Sequence, residues 1–193
     1  MIEFVNPYKK GSGFKNPYKM DGETVKEVMT KELDTKKNIN VKFLSWDDIC
    51  TACHDIKSKI ETIYNPDVLI SIGRGGMIPT RILADLLDIN DVYMYSIKLY
   101  KGIAQRNNRP TVQSFNHNIE QKNILLVDDI MDSGTTIETV IQNLKRNKPK
   151  NIRTATILCK TSCKRQPTFY SKNSEVNDWI VFPWEIHSEN FKI

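Results

Sequence analysis

The sequence predicts an α/β fold built on a mostly parallel sheet flanked by helices. Three observations predict it. The short apolar run at 68–72 is too uniform to be a half-exposed strand and reads as buried on both faces, 124–127 reads as another buried strand, and 152–158 as a further strand. Stretches with helical spacing alternate with them. Two of the runs end in loops rich in glycine, hydroxyls and charge, the position where such sheets bind ligands.

The elements follow in order. Ser45, Trp46, Asp47 and Asp48 form a capping box, a serine N-cap with an acid three residues on. The helix behind it sets Ile49, Cys53, Ile56, Ile60 and Ile63 on one face, and Asn65, Pro66 and Asp67 stop it. The first buried strand follows at 68–72, then a loop at 73–76 and a helix at 78–87. A strand is expected at 92–99. Residues 101–120 are polar, with Gly102, Asn107, Asn108 and Pro110, and read as a long mobile loop. A strand at 124–127, a loop at 132–136, a helix at 137–144 and a strand at 152–158 complete the alternation. The remainder reads as irregular, with an aromatic cluster from Trp179 to Trp184.

The first 42 residues differ from the rest. They hold nine lysines and six acids, few large aliphatics, and an echo at Asn6-Pro7-Tyr8-Lys9 and Asn16-Pro17-Tyr18-Lys19. Two copies do not make a repeat architecture. A short amphipathic helix is expected at 22–33 through Val25, Val28, Met29 and Leu33. The chain thus divides into an N-terminal extension, 1–42, and one folded domain, 43–193. Lysines interleaved with acids make a poor phosphate track, so nucleic acid is not the expected partner.

The whole chain has 193 residues, enough to bury a core without disulfides, and a net charge of +5, mild enough to suit small anions. No apolar run approaches a bilayer-spanning length, so no membrane segment is expected. The N-terminus lacks the apolar stretch of an export signal, and four cysteines without one read as reduced thiols. A cytoplasmic protein is expected.

The strongest motif runs from Ile124 to Thr136. An apolar strand ends in Asp128 and Asp129, Asp132 follows three residues later, and Ser133, Gly134, Thr135 and Thr136 open a helix. Backbone N–H groups at a helix start, with hydroxyls beside them, make a nest for phosphate. Two adjacent acids can accept hydrogen bonds from vicinal sugar hydroxyls and hold a hydrated Mg²⁺. The Gly-Lys-Ser/Thr ending of a P-loop is absent. After the first buried strand, Gly73-Arg74-Gly75-Gly76 offers exposed N–H groups and a guanidinium that can fork onto phosphate oxygens.

The Ile124–Thr136 run resembles the phosphoribosyl-pyrophosphate signature of the type I phosphoribosyltransferases. Residues 71–79 look like that family's pyrophosphate loop. Cys159-Lys160 and the segment from Trp179 to Glu185 are similar to the hood of the purine enzymes, the xanthine-guanine and hypoxanthine-guanine type. The resemblance covers roughly residues 43–185 and implies a small C-terminal hood around 159–185. It implies transfer of ribosyl 5-phosphate from phosphoribosyl pyrophosphate to a 6-oxopurine, guanine, hypoxanthine or xanthine, with Mg²⁺ as cofactor. Arg74, Gly75 and Gly76 would hold pyrophosphate, and Asp128 and Asp129 the ribose and Mg²⁺. Ser133, Gly134, Thr135 and Thr136 would hold the 5-phosphate, and Asp132 would serve as the general acid/base. Lys160 would face the purine O6, Trp179 would stack on the ring, the Ile180 backbone would meet the base edge, and Glu185 would reach a second Mg²⁺ through water. Val181 stands where bacterial xanthine-guanine enzymes tend to have glutamate, so the choice among 6-oxopurines stays open. Lys98 and Arg106 are further candidates for a cation on pyrophosphate. A homo-oligomer is expected. The alternative is a non-catalytic regulator of the same fold that binds the donor or a nucleotide.

Two cysteine patterns point elsewhere. Cys50-Thr51-Ala52-Cys53-His54 has haem-attachment spacing, but it lies inside the capped amphipathic helix. Cys50 and Cys53 with Cys159 and Cys163 count four, as a zinc site needs. A helix-borne pair is a poor mate for one in the hood, and packed free thiols are the expected state.

Overall fold

The computed structural model describes residues 40–98, 111–112 and 115–185. The expected helix at 22–33, most of the loop expected at 101–120, and Arg106 lie outside the described residues. The chain divides into two units. Leu44–Val176 forms one, and the described residues of the other are 40–43 and 177–185.

The larger unit is built on a five-stranded, all-parallel sheet. In chain order its elements are α1 (Trp46–Ile63), β2 (Val68–Ile72), α2 (Met77–Leu86), β3 (Val92–Tyr95), β6 (Asn123–Met131), α3 (Thr135–Leu144), β7 (Asn151–Lys160) and β8 (Phe169–Ser174). The strand order is β3-β2-β6-β7-β8. Two short strands, β4 (Ile97–Lys98) and β5 (Thr111–Val112), pair antiparallel beside it. The smaller unit contains β1 (Asn40–Phe43) parallel to β9 (Asp178–Val181).

Local sequence explains α1. The Ser45 Oγ accepts from the Asp48 N–H at 3.1 Å, and the Asp48 carboxylate accepts from the Ser45 N–H at 2.8 Å, closing the capping box. Donation to the Asp48 carboxylate from the Ser45 hydroxyl, at 2.6 Å, and then from the Ser45 N–H holds that carboxyl below the usual carboxylate range. Ile49, Cys53, Ile56 and Ile60 are buried as the spacing requires, but Ile63 is exposed, because the helix ends there and its last turn overhangs the core.

Every residue of β2 is buried. Val68, Ile70 and Ile72 share a face with Ile124 and Leu126 of β6 and pack with Ile137, Val140 and Leu144 of α3. By the two-residue period, Leu69 and Leu125 point the other way, where α1 packs on β7 and β8, and α2 on β2, β3 and β6. Both faces are covered, which is why the strands read as unbroken apolar runs.

Four expectations need correction. The strand expected at 92–99 breaks at Ser96. Its partner β2 turns away at Gly73, whose N–H makes the last bond, 2.8 Å to the Tyr95 carbonyl. Within the expected loop, Phe115 and Ile119 are buried core residues, Phe115 stacked on Tyr95 with ring centroids 5.6 Å apart. The strand at 124–127 continues to Met131, because β7 stays in register with it through Met131↔Cys159. The C-terminal segment is not irregular: it contains β8, whose Lys172 and Asn173 are exposed at the sheet edge, and β9, which pairs with β1.

Candidate active site

Neighbouring parallel strands deliver the two candidate loops to one place. β2 and β6 pair up to Ser71↔Val127, so both chains leave the sheet side by side at its carboxyl end. Beyond β2, Gly73 adopts a φ of +51°, a left-handed turn that favours glycine, and Arg74 is exposed. A Cβ on Gly75 would overlap the Asp129 carboxylate, and one on Gly76 would overlap the Val127 carbonyl and lie 2.9 Å from the Ile72 nitrogen. The glycine pair therefore lets the 73–76 loop lie directly against the end of β6. The sequence suggested these glycines as N–H donors; the close approach across 54 residues was not visible in it.

Asp128 and Asp129 lie inside β6 rather than beyond it. The Asp129 N–H donates to Asp128 Oδ1 at 3.0 Å, and the Ile130 N–H to Asp129 Oδ1 at 2.7 Å. Loss of water around Asp128, and then the Asp129 charge, hold its carboxyl well above the ordinary carboxylate range. Asp128 pairs across the sheet with Thr156, whose hydroxyl is fully buried and has no hydrogen-bond partner among the described residues.

The donor set fits Mg²⁺. Two adjacent carboxylates are hard oxygen ligands, and their mutual repulsion, expressed at Asp128, is what a divalent cation relieves. Among the described residues no group of three or more His, Cys, Asp or Glu could hold a metal. An ion held by Asp128 and Asp129 therefore needs water or substrate oxygens to complete its shell.

After Met131 the chain exposes Asp132 and Ser133 and turns at Gly134, φ +82°, into α3. Ser133 Oγ and Thr135 Oγ1 lie 3.0 Å apart. The first-turn N–H groups of a helix lack intrahelical acceptors, and the helix dipole adds positive potential there. Hydroxyls and amides thus converge on a place suited to a phosphate. Cys163 Sγ lies 3.6 Å from where a Gly134 Cβ would stand, so the turn is backed by the chain after β7.

Lys160 ends β7, one residue beyond the Met131↔Cys159 pair. It is buried, and its Nζ donates to the Glu175 carbonyl at 2.9 Å and the Val176 carbonyl at 3.3 Å. All four cysteines are free thiols. Cys50 is exposed on α1; burial pushes Cys53 up to about 12 and Cys159 up to about 11, as packed thiols require.

Trp179, Ile180 and Glu185 belong to the smaller unit. Trp179 is 52% exposed on β9, whereas Val181 is buried. Phe182 and Trp184 stack with centroids 4.8 Å apart, so Trp184 is a packing anchor. The Glu185 carboxylate accepts from the Phe182 N–H at 3.0 Å, and the Glu185 N–H donates to the Phe182 carbonyl at the same distance. Sequence reasoning missed Asp178, a buried carboxylate held by Lys42 Nζ at 2.7 Å and Asn40 Nδ2 at 2.9 Å. Its only signal in the sequence is an acid beside the exposed tryptophan.

Within the larger unit, the fold brings Gly75 against Asp129 and Gly76 against the Val127 carbonyl, with Arg74 exposed in the same loop and with residues 132–136 and Lys160 following the neighbouring strand ends. This defines an α/β protein whose parallel sheet carries at its carboxyl end an acid pair between a glycine-rich loop and a hydroxyl-rich helix start. The profile of the phosphoribosyl transferase domain matches residues 43–190, and the chain belongs to that family. It is an enzyme, a phosphoribosyltransferase. It is similar to a xanthine-guanine phosphoribosyltransferase of Ruegeria sp. (strain TM1040), 29% identical over 153 residues, covering 74% of this chain and 84% of that one. It is also similar to the crystal structure of a purine phosphoribosyltransferase from Pyrococcus horikoshii Ot3, with 30% identity, a TM-score of 0.67, and coverage of 76% of this chain and 94% of that one. The Helicobacter pylori xanthine-guanine-hypoxanthine phosphoribosyltransferase matches at 27% identity and a TM-score of 0.69, covering 78% of this chain and 97% of the other.

Proposed function

We propose that this enzyme transfers the ribosyl 5-phosphate of phosphoribosyl pyrophosphate to N9 of a 6-oxopurine and releases pyrophosphate, with residues 43–193 as the transferase domain. The observation that carries the reading is the packing of Gly75 against the Asp129 carboxylate. It sets an anion loop beside a pair of acids suited to ribose hydroxyls, with a phosphate nest seven residues or fewer further along the same chain.

In the reaction the bond from the anomeric carbon to pyrophosphate breaks, the bond to N9 forms, and the purine loses a proton. Arg74 and the N–H groups of Gly75 and Gly76 hold the leaving pyrophosphate. Asp128 and Asp129 orient the ribose hydroxyls and would hold Mg²⁺, which when bound offsets charge growing on the leaving group. Ser133, Gly134, Thr135 and Thr136 anchor the 5-phosphate. Asp132, exposed on the loop between them, exchanges the purine proton as general acid/base.

Base choice rests on Lys160, Trp179 and Ile180. An ammonium has only donors, so Lys160 suits the O6 acceptor of a 6-oxopurine and opposes the amino group of adenine. Trp179 offers an exposed ring for stacking. Backbone carbonyls beyond Trp179 accept from the guanine amine and repel the xanthine oxygen, and the buried Val181 supplies no polar group to change that. Guanine and hypoxanthine are therefore the proposed substrates ahead of xanthine. Glu185 is proposed as a remote, water-linked contact to a second Mg²⁺. We place the enzyme in the cytoplasm as a homo-oligomer in purine salvage. Among the described residues no helix is long and apolar enough to cross a membrane.

Turnover of hypoxanthine, guanine, xanthine, adenine and orotate with the donor and Mg²⁺ tests the proposal. Guanine or hypoxanthine should be used best, and adenine more poorly by roughly two orders of magnitude. EDTA should abolish turnover and added Mg²⁺ restore it. Adenine as the best substrate would overturn the role of Lys160; xanthine would overturn only the argument from Val181; no turnover of any base would favour the regulator.

A further inference from the structure

The ion pairs among the described residues divide into two kinds. Lys57–Glu61, Lys59–Asp55, Arg81–Asp85, Lys148–Glu120 and Arg165–Glu138 all join exposed or partly exposed side chains, and such pairs contribute little. Lys42–Asp178 differs. The Asp178 side chain is 2% exposed, and its two oxygens accept separately, Oδ2 from Lys42 Nζ at 2.7 Å and Oδ1 from Asn40 Nδ2 at 2.9 Å. Burying a carboxylate is costly unless its oxygens are satisfied, so such a group is a poor choice for stability alone. What it does provide is a fixed geometry.

The geometry it fixes is that of β9. Asn40 is the direct strand partner of Asp178, Val41 of Trp179, and Lys42 of Ile180. Both donors therefore come from β1, and the acceptor sits immediately before the exposed Trp179. A one-residue slip of β1 on β9 would move the Lys42 and Asn40 side chains to the wrong face, so the buried carboxylate pins the register. Asn40 and Lys42 also lie upstream of residue 43, where the match to the family begins.

We propose that Asp178, Lys42 and Asn40 are positioning residues for base recognition: they lock β1 onto β9 and so set the backbone of Trp179 and Ile180 that meets the purine. This gives the last residues before the family domain a part in substrate specificity. The inference rests on the proposed function, in which Trp179 and Ile180 contact the base.

Lys42→Met, Lys42→Arg and Asp178→Asn test it. The Lys42 side chain is half-exposed, so its replacement should not prevent folding. Lys42→Met and Asp178→Asn should raise the KM for guanine or hypoxanthine about 10-fold, the worth of a hydrogen bond to a charged group, with kcat and the donor KM within about 2-fold of wild type. Lys42→Arg should restore the purine KM. Hydrogen exchange, read without substrate, should speed up at the amides of Trp179, Ile180 and Val181 and stay unchanged in β6. An unchanged purine KM in an active Lys42→Met enzyme would overturn the inference. So would a purine and donor KM that rise together, or exchange that quickens throughout the sheet. A wild-type protein that turns over no purine would overturn the proposed function, and this inference with it.

Discussion

Replacing Gly75 by alanine perturbs the site at one defined contact. The added methyl group would occupy the space of the Asp129 carboxylate. Relief can come from rotation of Asp129 or from retreat of the 73–76 loop. Rotation breaks the 2.7 Å bond from the Ile130 N–H, worth about 1 kcal/mol. Overpacking of this kind costs about 1–3 kcal/mol in all. For a domain of this size that is a fall of roughly 4–8 °C in Tm for about 2 kcal/mol. Either escape displaces a group that handles the donor, and a shift of about 1 Å at a reacting centre costs on the order of 10²-fold. Gly73→Ala is the control. Its φ of +51° makes alanine strained by about 1 kcal/mol or more, yet among the described residues no heavy atom beyond its chain neighbours lies within 4 Å of the new methyl group. Thermal melting and kcat/KM for the donor should separate the two: Gly73→Ala should lose stability and keep most activity, Gly75→Ala should lose both. In an Asp129→Ala background the Gly75→Ala penalty on Tm should largely vanish, a coupling expected of groups in contact. A Gly75→Ala enzyme with wild-type Tm and kcat/KM would refute the close approach.

Other expectations follow from the same site. Asp128 has its carboxyl held above the usual range, so its protonated form stabilises the fold below the ordinary value of 3.8, and that contribution is lost as pH rises through the folded value. Asp128→Asn should therefore melt above wild type at pH 7, with the gap closing towards pH 4, while transfer activity falls. Asp132→Asn should lower kcat by about 10²–10⁴ and leave donor affinity, measured by calorimetry, nearly unchanged; full activity would remove Asp132 from its role. Thr156→Val removes a buried hydroxyl with no partner among the described residues, and should raise stability by about 1 kcal/mol, seen as a higher urea midpoint at constant slope.

Much of the site was legible because its determinants are local. The capping box of α1 spans four residues, and the Asp128–Thr136 run carries acids, turn glycine and hydroxyls within nine. Glycine at 134 was needed for a φ of +82°, a demand of the turn itself. The misreadings arose where a partner strand decided. β6 runs on through its two acids because β7 supplies ladder partners, although aspartate is a poor strand residue. The segment at 169–174 reads as irregular, yet it pairs with β7 at the sheet edge, where only Phe169 and Ser174 are buried. Phe115 and Ile119 sit in a stretch polar enough to pass for loop throughout, and their burial is visible only in their contacts with Tyr95 and the α3 face.

The sequence by itself determined the alternation of buried strands and helices, and with it the parallel sheet and the strand ends at which a ligand can bind. Apolar period, caps and turn residues act over a few positions, so they can be read along the chain. Only the tertiary structure decided that Gly75 touches Asp129 and that Lys160 is gripped by the carbonyls of 175 and 176. It alone joined Asn40 and Lys42 to Asp178 across more than 130 residues. Those contacts depend on strand order and register, which are set by the packing of the whole sheet and not by any one segment.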